Sequence, residues 1–174
     1  VLHYGVVPEF DKNNWDFRVF GEVKEEVRLN WEEFCALPQT EIAMDIHCVT
    51  AWSKMDTLWR GVSLTTLLNR GILRPKPSAS VVVQHCEQGY TTNLPIKTAM
   101  GENFILATHY EGAPLAPEHG YPVRGVCGAI PGRADLDDVS LWKGGKWIRG
   151  LELLSTDKPG FWERAGYHNR GDVW

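Results

Sequence analysis

Residues 40–62, TEIAMDIHCVTAWSKMDTLWRGV, carry the reading on which the fold turns. The first half is an apolar, β-prone run that ends on a lone thiol, Cys48. Two tryptophans, Trp52 and Trp59, and several small polar residues follow it. This pattern predicts a strand that delivers Cys48 to a strand-to-loop exit. Upstream, WDFRVFGEV and EEVRL alternate apolar with polar residues as half-buried strands do, and Gly21 stands near the turn between them, which predicts a hairpin. Asn30 is then set to cap a short helix, WEEFCALP, with Glu33 in the capping-box position and Pro38 ending it. Cys35 falls on an apolar position of that helix and is expected in the core. Downstream, Ser63 is the expected N-cap of LTTLLNRG, Gly71 its stop, and SASVVVQH the next strand. The order strand, helix, strand, helix, strand argues for an α+β or mixed α/β fold. From GENFILATHY to KWIRGLELLS the chain continues as strands broken by Gly- and Pro-rich loops.

The chain has 174 residues, enough to bury a core as one domain over residues 1–174. Apolar residues make up 43% and charged residues 23%, ordinary proportions for a globular chain, and no run of about 18 apolar residues exists to cross a bilayer. A net charge of −4 with scattered Lys and Arg gives no basic stripe for a nucleic-acid partner. The chain opens at Val1 without Met or a leader, so its ends are expected to be processed or trimmed. Cys35, Cys48, Cys86 and Cys127 show no C-x-x-C spacing, which suggests reduced thiols and a cytoplasmic setting. IHCV and QHCE invite a zinc reading with two His and two Cys, yet neighbours on a strand face opposite sides, so one member of each pair can face a common site.

CVTAWS, GYTTNLPIKTAM, HYEGAPLAPEHGYPVR, WKGGKWIRGLEL and PGFWERAGY occur in that order. Together with the opening VLHYGVVPEFD they resemble the molybdenum-cofactor domain of the sulfite oxidase family, especially its small stand-alone prokaryotic members. The resemblance implies that fold, with mixed β-sheets and short helices, and a molybdenum cofactor, Mo-molybdopterin. It implies that Cys48 binds the metal through its thiolate, a soft donor suited to a sulfur-rich centre. The other reading of Cys48 is a small core hydrophobe. His119 and Arg124 match family positions that contact the cofactor. Lys143, Gly144, Gly145 and Lys146 are expected at its dianionic phosphate, where cations and close-approaching backbone amides serve. His3, His47 and Thr50 are candidates for bonds to the pterin, and the strand end at His85 and Cys86 is expected near it. Tyr90 corresponds to a tyrosine that hydrogen-bonds above the metal, while no role is carried over to Cys127 or to residues 125–140.

One departure bears on the substrate. Sulfite oxidases of animals and plants have arginines four and five residues beyond the metal-binding cysteine, and Trp52 and Ser53 stand there instead. Lys54, Arg60 and Arg133 are the cations that can restore the charge. The implied reaction is two-electron oxygen-atom transfer on a small molecule, with reduction of a sulfoxide or N-oxide favoured and sulfite oxidation as the alternative. A non-catalytic pterin carrier and a zinc-stabilised module are the readings outside redox catalysis. No haem-binding spacing is present, so a separate electron carrier such as a cytochrome is expected. The chain ends without the extra β-sandwich through which animal sulfite oxidases pair, and a monomer is expected.

Overall fold

A computed structural model describes residues 5–173. The expected contact at His3 lies outside the described residues. Two five-stranded sheets carry the chain. The first has β1 (Asp16–Gly21) between β2 (Val27–Asn30) and β10 (Ile148–Leu154), followed by β5 (Val81–Cys86) and β6 (Thr91–Pro95). β1 runs parallel to β10, and the other pairs in this sheet are antiparallel. The second sheet orders β3 (Thr40–Cys48), β4 (Trp52–Ser63), β7 (Phe104–Tyr110) and β8 (Ala113–Pro114), with β9 (Arg124–Cys127) also paired to β7.

The helices are short: α1 (Trp31–Cys35), α2 (Leu64–Asn69), α3 (Ile96–Ala99) and α4 (Phe161–Arg164). This is the mixed α+β arrangement expected from the sequence. The Asn30 side chain accepts from the Glu33 amide at 2.9 Å while the Glu33 carboxylate accepts from the Asn30 amide at 2.8 Å, completing the capping box. Ser63 caps α2 through the Thr66 amide at 3.1 Å, and Gly71 beyond it adopts φ +69°, a conformation that favours glycine.

The period of two along β7 divides the core. Phe104 and Leu106 enter a large cluster shared with Phe17 and Leu151 of the first sheet, while Ile105 and Ala107 join Met44, Ile46, Trp59 and Val126 in a smaller one. The smaller cluster holds β3, and with it Cys48, in place. One expectation fails here. Cys35 is exposed, because α1 has little more than one turn and uses Phe34 for the core. Cys48 ends β3 at the expected strand exit, and the connection is a tight hairpin turn, since β4 begins at Trp52, directly opposite it.

Candidate active site

Cys48 is half-buried at the end of β3. The hairpin closes through the Ala51 amide donating to the Cys48 carbonyl at 3.0 Å, with Ala51 held at φ +61°. A non-glycine residue there costs about 1–2 kcal/mol, so the turn that presents the thiol is strained. The Thr50 hydroxyl lies 3.2 Å from the Cys48 sulfur. His47, the preceding residue, turns its Nδ1 to the Ser53 hydroxyl at 2.6 Å and its Nε2 to Asp138 at 3.4 Å. Burial raises the Asp138 pKa, and the neighbouring His47 opposes that rise.

A second group of predicted residues gathers around Arg124. Its guanidinium is buried on β9 and donates to the carbonyls of Gly125 at 3.3 Å, His119 at 3.2 Å and Gly144 at 3.5 Å. No carboxylate meets it among the described residues, and burial lowers its pKa to about 10. Lys146 donates to the Glu118 carbonyl at 2.9 Å; burial, reinforced by Arg124, lowers it to about 8. His119 is exposed at the same place, and its pKa falls through partial burial and through repulsion from Lys146 and Arg124. Arg124 lowers Lys146, and both lower His119, so two cations with an imidazole beside them form a site whose charge is suited to an anion.

The turn Leu141–Lys143, a single 3-10 turn, lies against β3, β6 and β9 and leads into Gly144 and Gly145. The carbonyls of this run are all claimed. Trp142 accepts from the Tyr90 hydroxyl at 3.3 Å, Lys143 from the Gln84 amide at 2.7 Å, Gly144 from Arg124, and Gly145 from the Gly125 amide at 2.8 Å. Tyr90 is half-buried against Phe161, and burial keeps its phenol protonated far above the usual range.

Several predicted roles are corrected here. The Lys143 side chain is fully buried and points away from the cationic group, to Glu163 at 2.7 Å and Asn93 at 2.8 Å. Gly144 and Gly145 are required by close approach of protein to protein. A Cβ on Gly144 would stand 2.1 Å from the Gly125 carbonyl and one on Gly145 2.4 Å from the Cys86 sulfur. The Gly145 amide is already spent on Gln84 at 2.9 Å. Cys86 is a core thiol under Gly145, raised in pKa by burial, while His85 faces the other way and binds Glu152 at 2.7 Å. The pairs IHCV and QHCE thus lie on different sheets. Among the described residues no group of three or more His, Cys, Asp or Glu is placed to hold a metal ion, which leaves the zinc reading without support.

Two of the three cations that stand in for the missing arginines, Lys54 and Arg133, are engaged elsewhere. Lys54 bonds the Tyr110 hydroxyl and sits 5.0 Å from that ring's centroid. Arg133 holds Glu102 at 2.6 Å and Asp135 at 2.8 Å. Arg60 stands between Glu41 and His109 in the backbone register of the second sheet. Cys127 is a core thiol, raised by burial to about 12. Sequence reasoning missed Gln84, Asp138 and Glu163. Gln84, a lone amide after three valines in SVVVQH, was visible as a buried polar residue needing partners. Asp138 and Glu163 carried no local signal, because their partners lie far away in sequence.

The model of the oxidoreductase molybdopterin binding domain matches residues 4–162, so Glu163 to Val173 follow the matched stretch. The uncharacterised oxidoreductase YuiH of Bacillus subtilis is 41% identical over all of this chain and 83% of its own length. A putative protein-methionine-sulfoxide reductase subunit, YedZ1, of Azospira oryzae is 27% identical over 93% of the chain and 57% of the relative. In structure, the sulfane dehydrogenase SoxCD of Paracoccus pantotrophus superposes with a TM-score of 0.71 at 20% identity, over 88% of this chain and 41% of that one, a likeness of fold.

Proposed function

This chain belongs to the oxidoreductase molybdopterin binding domain family, and on that premise we propose that it reduces a neutral sulfoxide or N-oxide in preference to oxidising sulfite. The donor set suits the cofactor. A half-buried thiol stands at a strained hairpin, and Arg124, Lys146 and His119 crowd together in a way that a dianionic phosphate relieves. We assign the metal to Cys48 and the phosphate to Arg124, Lys146 and His119. Thr50 borders the thiol, while His47 faces Ser53 and Asp138. When bound, the cofactor supplies reversible two-electron chemistry, and the protein contributes orientation, electrostatics and the shape of the pocket.

Reduction of a sulfoxide consumes two electrons and two protons and yields a sulfide and water. Tyr90 remains a phenol across the working pH range and is assigned as the hydrogen-bond donor to the substrate oxygen, once it turns from the Trp142 carbonyl. The observation that carries the substrate preference is the hairpin beside Cys48. It presents Trp52 and Ser53, while Lys54 is drawn to Tyr110 and Arg133 to acidic neighbours. A doubly charged oxyanion would shed water there without Lys54 or Arg133 to replace it, whereas a neutral dipole tolerates an indole wall.

The names of YedZ1 and of the MsrP catalytic subunit of Gluconobacter oxydans, 28% identical over 86% of this chain and 50% of the relative, attach sulfoxide reduction to those proteins and agree with this reading. Both are called subunits, and a separate carrier is the proposed electron source here. No helix among the described residues is long and apolar enough to cross a membrane. The four free cysteines support a reducing, cytoplasmic setting, and a monomer completes the proposal. The test is a dye-coupled assay comparing kcat/KM for sulfoxides and N-oxides with that for sulfite, on the parent and on Tyr90→Phe. Sulfoxide turnover should exceed sulfite turnover and slow in the variant. Efficient sulfite oxidation that collapses on Arg60→Ala would overturn it.

A further inference from the structure

The chain after β10 returns across the candidate site as a strap. Glu163, on α4, places one carboxylate oxygen 2.7 Å from the Lys143 ammonium and 3.0 Å from the Thr92 hydroxyl. The same ammonium donates to Asn93 at 2.8 Å and to the Asn169 carbonyl at 2.7 Å, so it is closed in by protein on every bond. Asn93 in turn donates to Asp157 at 2.6 Å and to Asn169 at 3.1 Å. The Ser140 amide donates to the Gly171 carbonyl at 2.7 Å, and a Cβ at Gly171 would lie 2.4 Å from Lys143 Cγ. Above the pair, ring contacts run from Trp142 to Tyr167 at 5.6 Å, Trp162 at 5.3 Å, Phe161 at 5.2 Å and Tyr90 at 5.8 Å, back to the residue that bonds the Trp142 carbonyl.

We propose that Lys143 and Glu163 are positioning residues: their buried ion pair ties the strap of residues 157–171 to the run Trp142–Gly145, whose carbonyls hold Tyr90, Gln84 and Arg124. The physical basis is that a paired buried ammonium has one low-energy position, and displacing it leaves two buried charges without their partners. With the Lys143 side chain pinned, its backbone is pinned, and the carbonyls on either side of it present fixed acceptors. The strap thereby sets where the candidate hydrogen-bond donor and the candidate phosphate ligand stand, without touching substrate or cofactor. The inference rests on the proposed cofactor reading for its functional meaning, and its structural half stands without it.

The experiment uses the whole chain with Lys143→Met and Glu163→Leu combined, which removes both charges and leaves no buried ion alone. Amide hydrogen exchange is measured on cofactor-free protein, and molybdenum and pterin per chain on protein purified with cofactor. The expected result is a melting temperature within a few degrees of the parent, exchange at Gly125 and Gly145 at least ten-fold faster, unchanged exchange at Leu106 in β7, and at least a three-fold loss of pterin. If the double variant does not fold, Glu163→Gln, which keeps an oxygen for Lys143 and Thr92, is read by the same measurements. Unchanged protection at Gly125 and Gly145 in a folded variant overturns the proposal. So does faster exchange spread evenly over both sheets, the mark of a purely structural pair. A parent without pterin would sink the cofactor reading, and the exchange arm would still decide the strap.

Discussion

Replacing Arg124 by methionine should leave the cofactor-free protein nearly as stable as the parent and strip it of affinity for the cofactor. Burial drives the guanidinium from its ordinary 12.5 to about 10. That displacement corresponds to roughly 3 kcal/mol against the charged form. Against this stand three hydrogen bonds to carbonyls at 3.2, 3.3 and 3.5 Å, long enough to be weak. At the lower end of the usual ~0.5–1.5 kcal/mol each they offset about half or more of that cost. Methionine keeps much of the stem's volume and removes the charge, so the net change should lie within about 1–2 kcal/mol, a few degrees in Tm for a chain of this size. Loss of a charge-assisted bond to the phosphate, worth about 1.5–3 kcal/mol, should weaken binding by roughly one to two decades. Thermal denaturation of the cofactor-free protein and pterin content after purification read the two halves. A structural ion would behave in the opposite way: a loss of about 3–5 kcal/mol with full cofactor loading would refute the assignment.

Cys48→Ser should abolish turnover and the thiolate-to-metal absorption while circular dichroism is unchanged, whereas Cys35→Ser, at an exposed site, should alter neither; retained turnover in Cys48→Ser sinks the ligand assignment. Lys146, at about 8 in the folded chain, predicts a pH effect of definite sign. Between that value and its unfolded pKa near 10.4 the unfolded state binds more protons, so its contribution to stability rises with pH across that window. Urea melts at pH 7 and pH 10 should therefore shift in the parent's favour relative to Lys146→Met, and inorganic phosphate binding to cofactor-free parent should weaken as pH passes 8; parallel behaviour of the two proteins refutes this. Placing arginine at Trp52 and Ser53 should raise kcat/KM for sulfite by at least ten-fold and lower it for sulfoxides, and an unchanged ratio would show that the hairpin does not select the substrate.

The secondary structure was legible where its causes are local. Asn30 with Glu33 and Ser63 with Gly71 mark helix ends through contacts that span a few residues, and the strand around Met44 announces itself by composition. Cys48, Arg124 and Lys146 stand out in the sequence only through the resemblance of the motifs around them to a family, and their roles at the cofactor are proposals. What the sequence could not convey was direction. Lys143 and Lys146 stand three residues apart in WKGGKW, and only the folded backbone turns one ammonium into a sealed pocket with Glu163 and leaves the other beside Arg124. The two glycines between them were visible as glycines. Their reason, the approach of Gly125 and Cys86 from other strands, was not. Cys35 holds an apolar position in the sequence pattern, yet its helix stops after little more than one turn and leaves it exposed. Composition and local pattern determine which elements form, since hydrogen bonding and burial period act over neighbouring residues. Partners such as Lys143 with Glu163, His47 with Asp138 and Gln84 with Gly145 are decided by how the sheets and the returning strap meet, so only the tertiary structure assigns them.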